Sequence, residues 1–247
     1  MDSFALILGL SFGVMLLMNV PVAFAIGLAT FLAVFSLGEV PSGYVVAQRM
    51  STGIASFPLL AIPCFVLAGI LMGEGGMARR LIAFASALVG HWRGGLSYVS
   101  VLTCMMFGAI SGSATAAVSS IGGALIPEMI RGGFDRRFSV AVTTAAATTG
   151  LVIPPSNIMI VYAVVTGNVS VAAMFVAGIL PGVILGACIM LVCGLVSGRP
   201  EQCDQQPASW RETGIAGMRA FWSLALVVVV LVGILGGVFS ATEAAAI

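Results

Sequence analysis

The sequence predicts an all-α protein that crosses a membrane several times. Of the 247 residues, 60% are hydrophobic and only 8% are charged, and the mean hydropathy is +1.16. A soluble domain carries about 25% charged residues, so a chain this poor in charge cannot cover a surface that faces water. Uncharged runs also recur at about the length that a helix needs to cross a bilayer core. Lipid is therefore the expected solvent.

The basic, histidine and cysteine residues are few, and their numbers and spacing exclude several functions. The ten basic residues are all arginines and form no basic stripe, which excludes nucleic acid as a main partner. A single histidine, His91, excludes a cage of histidine metal ligands. The five cysteines show no C-x-x-C spacing and fit buried apolar side chains better than disulfides or metal ligands. We expect no bound cofactor.

Six membrane spans are predicted. The N-terminus runs directly into an apolar stretch without a basic segment, which predicts a first span rather than a cleaved signal peptide. Asn19-Val20-Pro21 ends that span, because proline suits the first turn of a helix and not its interior. Residues 38–56 form a connector with room for a short interfacial helix. The predicted spans are residues 4–18, 21–37, 57–73, 138–165, 171–197 and 221–238.

Residues 76–93 are predicted to lie along the membrane surface as an arm. Their apolar stretch, 81–90, is too short to cross a bilayer, and arginines flank it on both sides.

Residues 94–130 are predicted to form a re-entrant hairpin. No charged residue occurs from Gly94 to Pro127, and one continuous helix of that length would measure about 51 Å, too long for a core of about 30 Å. Both flanks carry arginine, which prefers the cytoplasmic side, so both ends should lie on the same face. The small polar turn in the middle, residues 108–115, would form the tip.

The arginine distribution supports this topology. With the hairpin open to the cytoplasm, nine arginines fall inside, only Arg49 falls outside, and the N-terminus is periplasmic. The uncharged loop 166–170 also falls outside.

The span 138–165 is predicted to be broken. Helix-compatible residues continue to about Thr149, and residues 150–157 then include two consecutive prolines, which remove two amide donors. Unpaired backbone at membrane depth is tolerated only where protein or a water-filled cavity receives it. An unwound helix that faces a hairpin tip is a common way for secondary transporters to build an ion site.

The end of the chain resembles its beginning. Residues 18–26 and 237–247 each show the end of a span, a short polar break and a small-residue helix start, and the topology places the two breaks on opposite faces. This relation predicts an inverted repeat. We expect that Ile247 is not the natural terminus and that a second repeat follows it.

Four motifs resemble those of one transporter family. They are the segments 107–116, 153–157, 178–182 and 242–246. In this order and spacing they resemble the large membrane subunit of the tripartite ATP-independent periplasmic (TRAP) transporters, the DctM-type permeases.

That resemblance implies an elevator-type, inverted-repeat transporter in the bacterial inner membrane that takes up small organic acids with Na⁺ as the coupling ion. It implies two partners, a small membrane subunit and a periplasmic solute-binding protein. On this reading the chain comprises scaffold-type helices (1–75), the arm (76–93), a transport-type region (94–198), a cytoplasmic linker (199–220) and the start of the second repeat (221–247).

Eight residues are candidates for ion and substrate binding. The tip offers hydroxyls and approachable carbonyls, and the break offers unwound carbonyls, a hydroxyl and an amide. Na⁺ is a hard cation that favours oxygen ligands, and the side chains proposed for it are those of Ser111, Ser113, Ser156 and Asn157. The full set is Ser111, Gly112, Ser113, Thr115, Pro154, Pro155, Ser156 and Asn157.

The residues of the hairpin tip and those of the helix break each also have a purely structural interpretation. Small residues at the tip would let two hairpin arms pack closely. Ser156 and Asn157 could serve as helix caps beside a simple proline kink.

Three other functions compete with the proposed one. Another Na⁺-coupled di- or tricarboxylate or ion transporter of similar inverted-repeat fold remains open. An intramembrane serine hydrolase is weaker, because the segment 109–112 has Ala where a G-x-S-G motif has its first Gly, and His91 belongs to the arm. The last is a passive channel or a structural subunit; a channel would need a continuous polar stripe, whereas the polar residues cluster at the two breaks.

Overall fold

The structure is a computed structural model that describes residues 2–38, 41–167, 169–196 and 209–246. Every regular element in these ranges is helical, which confirms the all-α prediction. Residues 199–208 of the predicted linker lie outside the described part. The chain divides into two compact units, Met1–Ser56 and Phe57–Ile247.

The first unit contains three helices. Helices α1 and α2 pack against each other, and α2 buries three alanines spaced four residues apart. The predicted break between them is present: Asn19 has a φ of 60° and Pro21 immediately precedes α2. The connector contains a third helix of 13 residues. The bounds are α1 Asp2–Leu17, α2 Val22–Phe35 and α3 Ser42–Ile54.

The second unit contains the remaining helices. A 3₁₀ turn, Phe57–Leu60, leads into α4, and a π-helical turn, Val118–Gly122, joins α7 to α8. The bounds are α4 Ala61–Glu74, α5 Met77–Val89, α6 Gly95–Ser111, α7 Ala114–Ala117, α8 Gly123–Arg131, α9 Arg136–Val152, α10 Asn157–Thr166, α11 Val171–Val196, α12 Trp210–Leu235 and α13 Ala241–Ala246.

Several helices have the length and composition of membrane spans. Within the described residues, three helical segments qualify singly: Phe57–Glu74, Val171–Val196 and Arg211–Leu235. The pair α9 and α10, bent by 47°, qualifies as a fourth. Helices α1 and α2, with 16 and 14 residues, are about 24 and 21 Å long and thus shorter than a core of about 30 Å. These features are those of a polytopic membrane protein.

The last predicted span belongs to a longer helix. Helix α12 begins at Trp210, so residues 210–220 of the predicted linker are helical. The Ser209 backbone N–H donates to Glu212 Oε2 at 2.9 Å in a capping box, which starts the helix among polar residues. The helix ends at Leu235, and Gly237 has a φ of +69°, so residues 236–238 lie beyond it.

Residues 95–131 fold back on themselves. Helix α6 forms one arm, and α7, the π-helical turn and α8 form the other, which packs along α6. The two ends of this hairpin lie together: a Cβ atom built on Gly132 would be 3.0 Å from Leu96 Cδ1. The uncharged run therefore begins and ends at the same place, which is the shape that the sequence predicts.

Helix α11 holds the broken helix against the hairpin. Its glycines at 178, 182 and 186 lie on one stripe with four-residue spacing. A Cβ on Gly182 would be 2.5 Å from Ile153 Cγ1, and one on Gly178 or Gly186 would overlap Met159 or Met105. At Gly178 the added Cβ would also overlap the backbone oxygen of Val152, so a side chain there would push α11 away from the break.

Candidate functional site

The tip of the hairpin is a two-residue interruption of the helix. Helix α6 ends at Ser111, and Gly112 follows with a φ of +58° while its N–H donates to Gly108 O at 2.8 Å. Ser113 has extended backbone, and its Oγ accepts the Ala116 N–H at 3.3 Å, which caps α7. Glycine is favoured at position 112 because other residues rarely adopt this left-handed conformation.

The break between α9 and α10 begins three residues later in the chain than predicted. Helix α9 continues to Val152, three residues beyond the predicted end near Thr149, and Ile153 then adopts extended backbone. Pro154 and Pro155 follow, and Ser156 stands at the N-cap position of α10. The prolines cannot donate backbone hydrogen bonds, so they end one helix and let the next begin at an angle.

The tip and the break touch each other. A Cβ atom on Gly112 would lie 2.9 Å from Asn157 Nδ2 and 3.3 Å from the Asn157 backbone N. On the other side of the tip, a Cβ on Gly69 of α4 would lie 2.9 Å from Ser111 Cα. The hairpin tip is therefore enclosed between α4 and the start of α10, and we call this contact region the junction.

The junction contains buried oxygen atoms without hydrogen-bond partners. Ser156 Oγ and Asn157 Oδ1 are both buried and unpaired, and the two residues are 1% and 9% exposed. Among the described residues only one other buried side-chain atom shares this state, Thr103 Oγ1 in α6. An unsatisfied buried polar group costs about 1–3 kcal/mol, so two neighbouring ones make the junction the candidate site for a ligand.

The capping interpretation of Ser156 does not hold in this structure. Ser156 occupies the N-cap position of α10, but its side chain makes no capping hydrogen bond. Its hydroxyl is thus free for another partner.

The hydroxyls of the tip differ in exposure. Ser111 is 2% exposed, and its Oγ makes only long contacts, 3.4 Å each, with the backbone O and N of Ser113. Ser113 Oγ and Thr115 Oγ1 lie 3.0 Å apart, and Thr115 is exposed. Of the eight predicted residues, Ser113 and Thr115 therefore lie at the outer edge, and six are buried at the junction: Ser111, Gly112, Pro154, Pro155, Ser156 and Asn157.

Two features that support the junction were not predicted. A Cβ on Gly108 would lie 2.6 Å from Gly150 Cα, so α6 and α9 cross with their backbones in contact one turn below the tip. Gly69 of α4 likewise lies against Ser111 of the tip. Neither pairing leaves a signal in the sequence, because the partners are separated by about 40 residues.

The electrostatic character of the junction is neutral and rich in oxygen. Within the described residues no cluster of three or more His, Cys, Asp or Glu side chains is placed to hold a metal ion. The available ligands are hydroxyl, amide and carbonyl oxygens, which suit a hard monovalent cation better than a transition metal.

An apolar cavity of about 320 Å³ borders the junction. Ile110, next to Ser111, and Pro155 line its inner wall, and α4 and α12 supply most of the remaining lining. It is referred to below as the apolar cavity.

Taken together, the apolar helices, the hairpin and the broken helix are those of an integral membrane protein, and the junction is its candidate site. The sequence profile of the family described as tripartite ATP-independent periplasmic transporter, DctM component, matches residues 10–247. The chain belongs to this family, which is one of transporters and not of enzymes. The resemblance drawn from the four motifs is confirmed.

Individual relatives agree with this assignment. The chain is 42% identical over 238 residues to the uncharacterized protein YgiK of Salmonella typhimurium, covering 96% of this chain and 55% of that protein. It is 41% identical over 235 residues to the C4-dicarboxylate TRAP transporter large permease protein DctM of Vibrio cholerae, covering 94% and 51%.

A third relative has a different named substrate. The ectoine TRAP transporter large permease protein TeaC of Halomonas elongata is 36% identical over 232 residues, covering 93% of this chain and 53% of that protein. The chain thus spans about half the length of the curated relatives that it matches.

Proposed function

We propose that this chain is part of the membrane permease of a Na⁺-coupled secondary transporter that imports small organic acids. The observation that carries the proposal is the pair of unpaired oxygens, Ser156 Oγ and Asn157 Oδ1, at a buried contact between a hairpin tip and a broken helix. Buried polar atoms without partners are rare in proteins, and a cation would satisfy both of these at once.

Na⁺ is the proposed coupling ion. The junction offers neutral oxygens and no clustered carboxylates, whereas proton-coupled carriers use Asp, Glu or His within the bundle. Ser156 and Asn157 are the first candidate ligands, and Ser111, which precedes Gly112 at the tip, is the third. Ser113 and Thr115 are more exposed and are proposed to receive the ion as it enters.

A carboxylate of the substrate is proposed to bind at the start of α10. This helix has ten residues, and the first backbone N–H groups of a helix attract anions. Names of relatives support a small polar substrate, since the Vibrio cholerae and Halomonas elongata proteins are named for C4-dicarboxylate and ectoine.

The proposed topology places the hairpin mouth in the cytoplasm and the N-terminus in the periplasm, in the inner membrane of a bacterium. It is supported by the proximity of Gly132 to Leu96, since both ends of an uncharged hairpin must then reach the same membrane face. The elevator movement, the inverted repeat, the small membrane subunit and the periplasmic binding protein are proposed from family membership.

Transport measurements test the proposal. The full permease is reconstituted in liposomes with its small membrane subunit and its binding protein, and uptake of a labelled C4-dicarboxylate is followed with and without an inward Na⁺ gradient. We expect uptake only with the gradient, and abolition by a Na⁺ ionophore. Uptake at the same rate when K⁺ replaces Na⁺ would refute Na⁺ coupling.

A further inference from the structure

Two cavities of different chemical character follow each other along helix α12, and we call the helix face that lines both of them, with the cavities, the groove. Its polar end is a cleft of about 440 Å³ between α5 and α12, lined by Arg79, Arg80, Glu212 and Arg219 among others. Its other end is the apolar cavity, lined along α12 by Trp222, Leu226 and Val230 among others. Positions 215, 219, 222, 226 and 229 follow the spacing of three and four residues that defines one helix face.

The cleft carries net positive charge. Three arginines from two different helices line it against one carboxylate, Glu212. Glu212 accepts the Ser209 N–H at 2.9 Å and is thereby engaged at the start of α12. All three arginine side chains are exposed, so they are available to a ligand. The cleft is a built feature of the fold, because α5 and α12 pack directly beside it: a Cβ on Gly217 would be 3.4 Å from the Phe84 ring.

The polarity of α12 changes at the cleft. Arg219 is the last charged residue of this helix, and the residues that follow are uncharged, and all but Ser223 are apolar, to its end at Leu235. Trp222, 77% exposed, lies one turn beyond Arg219. Tryptophan prefers the level of the lipid headgroups, so this turn marks the membrane interface.

We propose that this groove binds one anionic phospholipid. The phosphate group lies among Arg79, Arg80 and Arg219, and one acyl chain follows α12 past Trp222 into the apolar cavity. The groove runs about 16 Å from Arg219 to Val230, at 1.5 Å per residue. Basic pockets between helices at the cytoplasmic side of membranes are suited to anionic headgroups.

The shape of the groove favours a lipid over a soluble anion. A free phosphate would use the basic cleft alone, whereas a lipid also fills the apolar extension on the same helix face. The bound chain would end against Ile110 and Pro155, which border the junction. A lipid in this position would connect the surface arm α5 to the neighbourhood of the proposed ion site.

Native mass spectrometry of the full permease in detergent tests the proposal. Phosphatidylglycerol is added, and phosphatidylcholine with the same acyl chains serves as the neutral-headgroup comparison. We expect one phosphatidylglycerol to be retained per chain, with phosphatidylcholine binding at least tenfold more weakly. For R79Q/R219Q we expect affinity for phosphatidylglycerol to fall about 30-fold, about fivefold for each arginine charge lost near the membrane surface.

Matched variants distinguish binding in this groove from a general effect of losing positive charge. R49Q/R137Q removes the same charge at two exposed positions outside the groove and should keep wild-type lipid affinity. Ala225→Phe narrows the apolar cavity and leaves Arg79 and Arg219 in place. It should also weaken phosphatidylglycerol binding. Thermal unfolding of each variant without lipid checks that it is folded.

Two results would overturn the proposal. Equal lipid affinity in R79Q/R219Q and R49Q/R137Q would show that the arginines bind no headgroup. Displacement of the bound lipid by millimolar inorganic phosphate, or unchanged binding in Ala225→Phe, would show a site for a soluble anion. Neither result bears on Na⁺ coupling, which the transport measurement tests separately.

Discussion

At the scale of single residues, the most informative atoms are the ones that lack partners. Ser156 Oγ and Asn157 Oδ1 lie at a helix start where a cap would normally form, yet neither oxygen accepts or donates a hydrogen bond. A serine kept for stability would use its hydroxyl on the local backbone, as Ser139 does with Asp135 O at 3.0 Å. The free hydroxyl therefore favours a ligand-binding role.

Replacing Ser156 by alanine distinguishes a ligand-binding role from a stabilising role. Because the hydroxyl has no partner, we expect Ser156→Ala to leave the thermal stability measured without Na⁺ unchanged or slightly raised. The Na⁺ concentration for half-maximal uptake should rise about tenfold, because one oxygen contact to a charged group is lost. Uptake measured over a Na⁺ series provides the readout.

Ser139→Ala is the control for this change. Ser139 is equally buried, but its hydroxyl is bonded within α9, so its removal should leave the Na⁺ dependence unaltered. A loss of stability in Ser156→Ala with an unchanged Na⁺ dependence would identify Ser156 as a structural residue.

Gly112 is predicted to tolerate no side chain. In Gly112→Ala the added Cβ would meet Asn157 at 2.9 Å from Nδ2, and the positive φ adds strain of about 1–2 kcal/mol. We expect transport to fall at least tenfold while the protein remains folded, as judged by uptake and by size-exclusion profile. Gly133→Ala incurs similar backbone strain, with a φ of +89° and no atom within 4 Å, and should transport normally. Equal activity in the two variants would contradict the close contact at the tip.

At the scale of elements, the junction depends on how closely α6 and α9 cross. Gly108 and Gly150 bring the two backbones into contact one turn from the tip, and the glycine stripe of α11 supports the same region from the other side. Side chains at these positions would force the helices apart and separate Gly112 from Asn157.

The close crossing of α6 and α9 leads to a prediction about the stability of the protein. Gly108→Ala would place a Cβ 2.6 Å from Gly150 Cα, so we expect destabilisation of about 1–3 kcal/mol, measured by thermal unfolding in detergent. Gly123→Ala changes the other hairpin arm at a helical position with no atom within 4 Å, and should be neutral or stabilising. The reverse order of stabilities would contradict the observed crossing.

Sequence reasoning predicted the interruptions better than the contacts. Gly112-Ser113 and Pro154-Pro155 change local backbone preference, so their breaks are readable from the residues themselves. The helical start of α12 at Trp210 was not predicted, although Ser209 and Glu212 form a recognisable capping box. The pairing of Gly108 with Gly150, and of Gly69 with Ser111, depends on tertiary packing that no local pattern encodes.

At the scale of the whole molecule, the topology follows from the folded hairpin. Leu96 and Gly132 are neighbours, so the chain enters and leaves residues 95–131 at one point. Four further spans, counting the bent pair as one, meet the length and composition of a membrane crossing. From the arginine distribution we predict that the hairpin mouth lies in the cytoplasm.

Cysteine labelling tests this orientation. In a cysteine-free background, we expect Arg93→Cys and Arg131→Cys to react with a membrane-impermeant maleimide from the cytoplasmic side only. Val169→Cys, in the uncharged loop between α10 and α11, should react from the periplasmic side only. Labelling of positions 93 and 131 from opposite sides would rule out a re-entrant hairpin.

The central claim is that the buried oxygens of the junction bind Na⁺. Equilibrium binding of radioactive Na⁺ to the purified full permease measures this without any need for transport. The account predicts saturable binding in the wild type that is weakened at least 30-fold in Ser156→Ala/Asn157→Ala and unchanged in Ser139→Ala. Wild-type Na⁺ affinity in the double variant, with the protein folded, would contradict it.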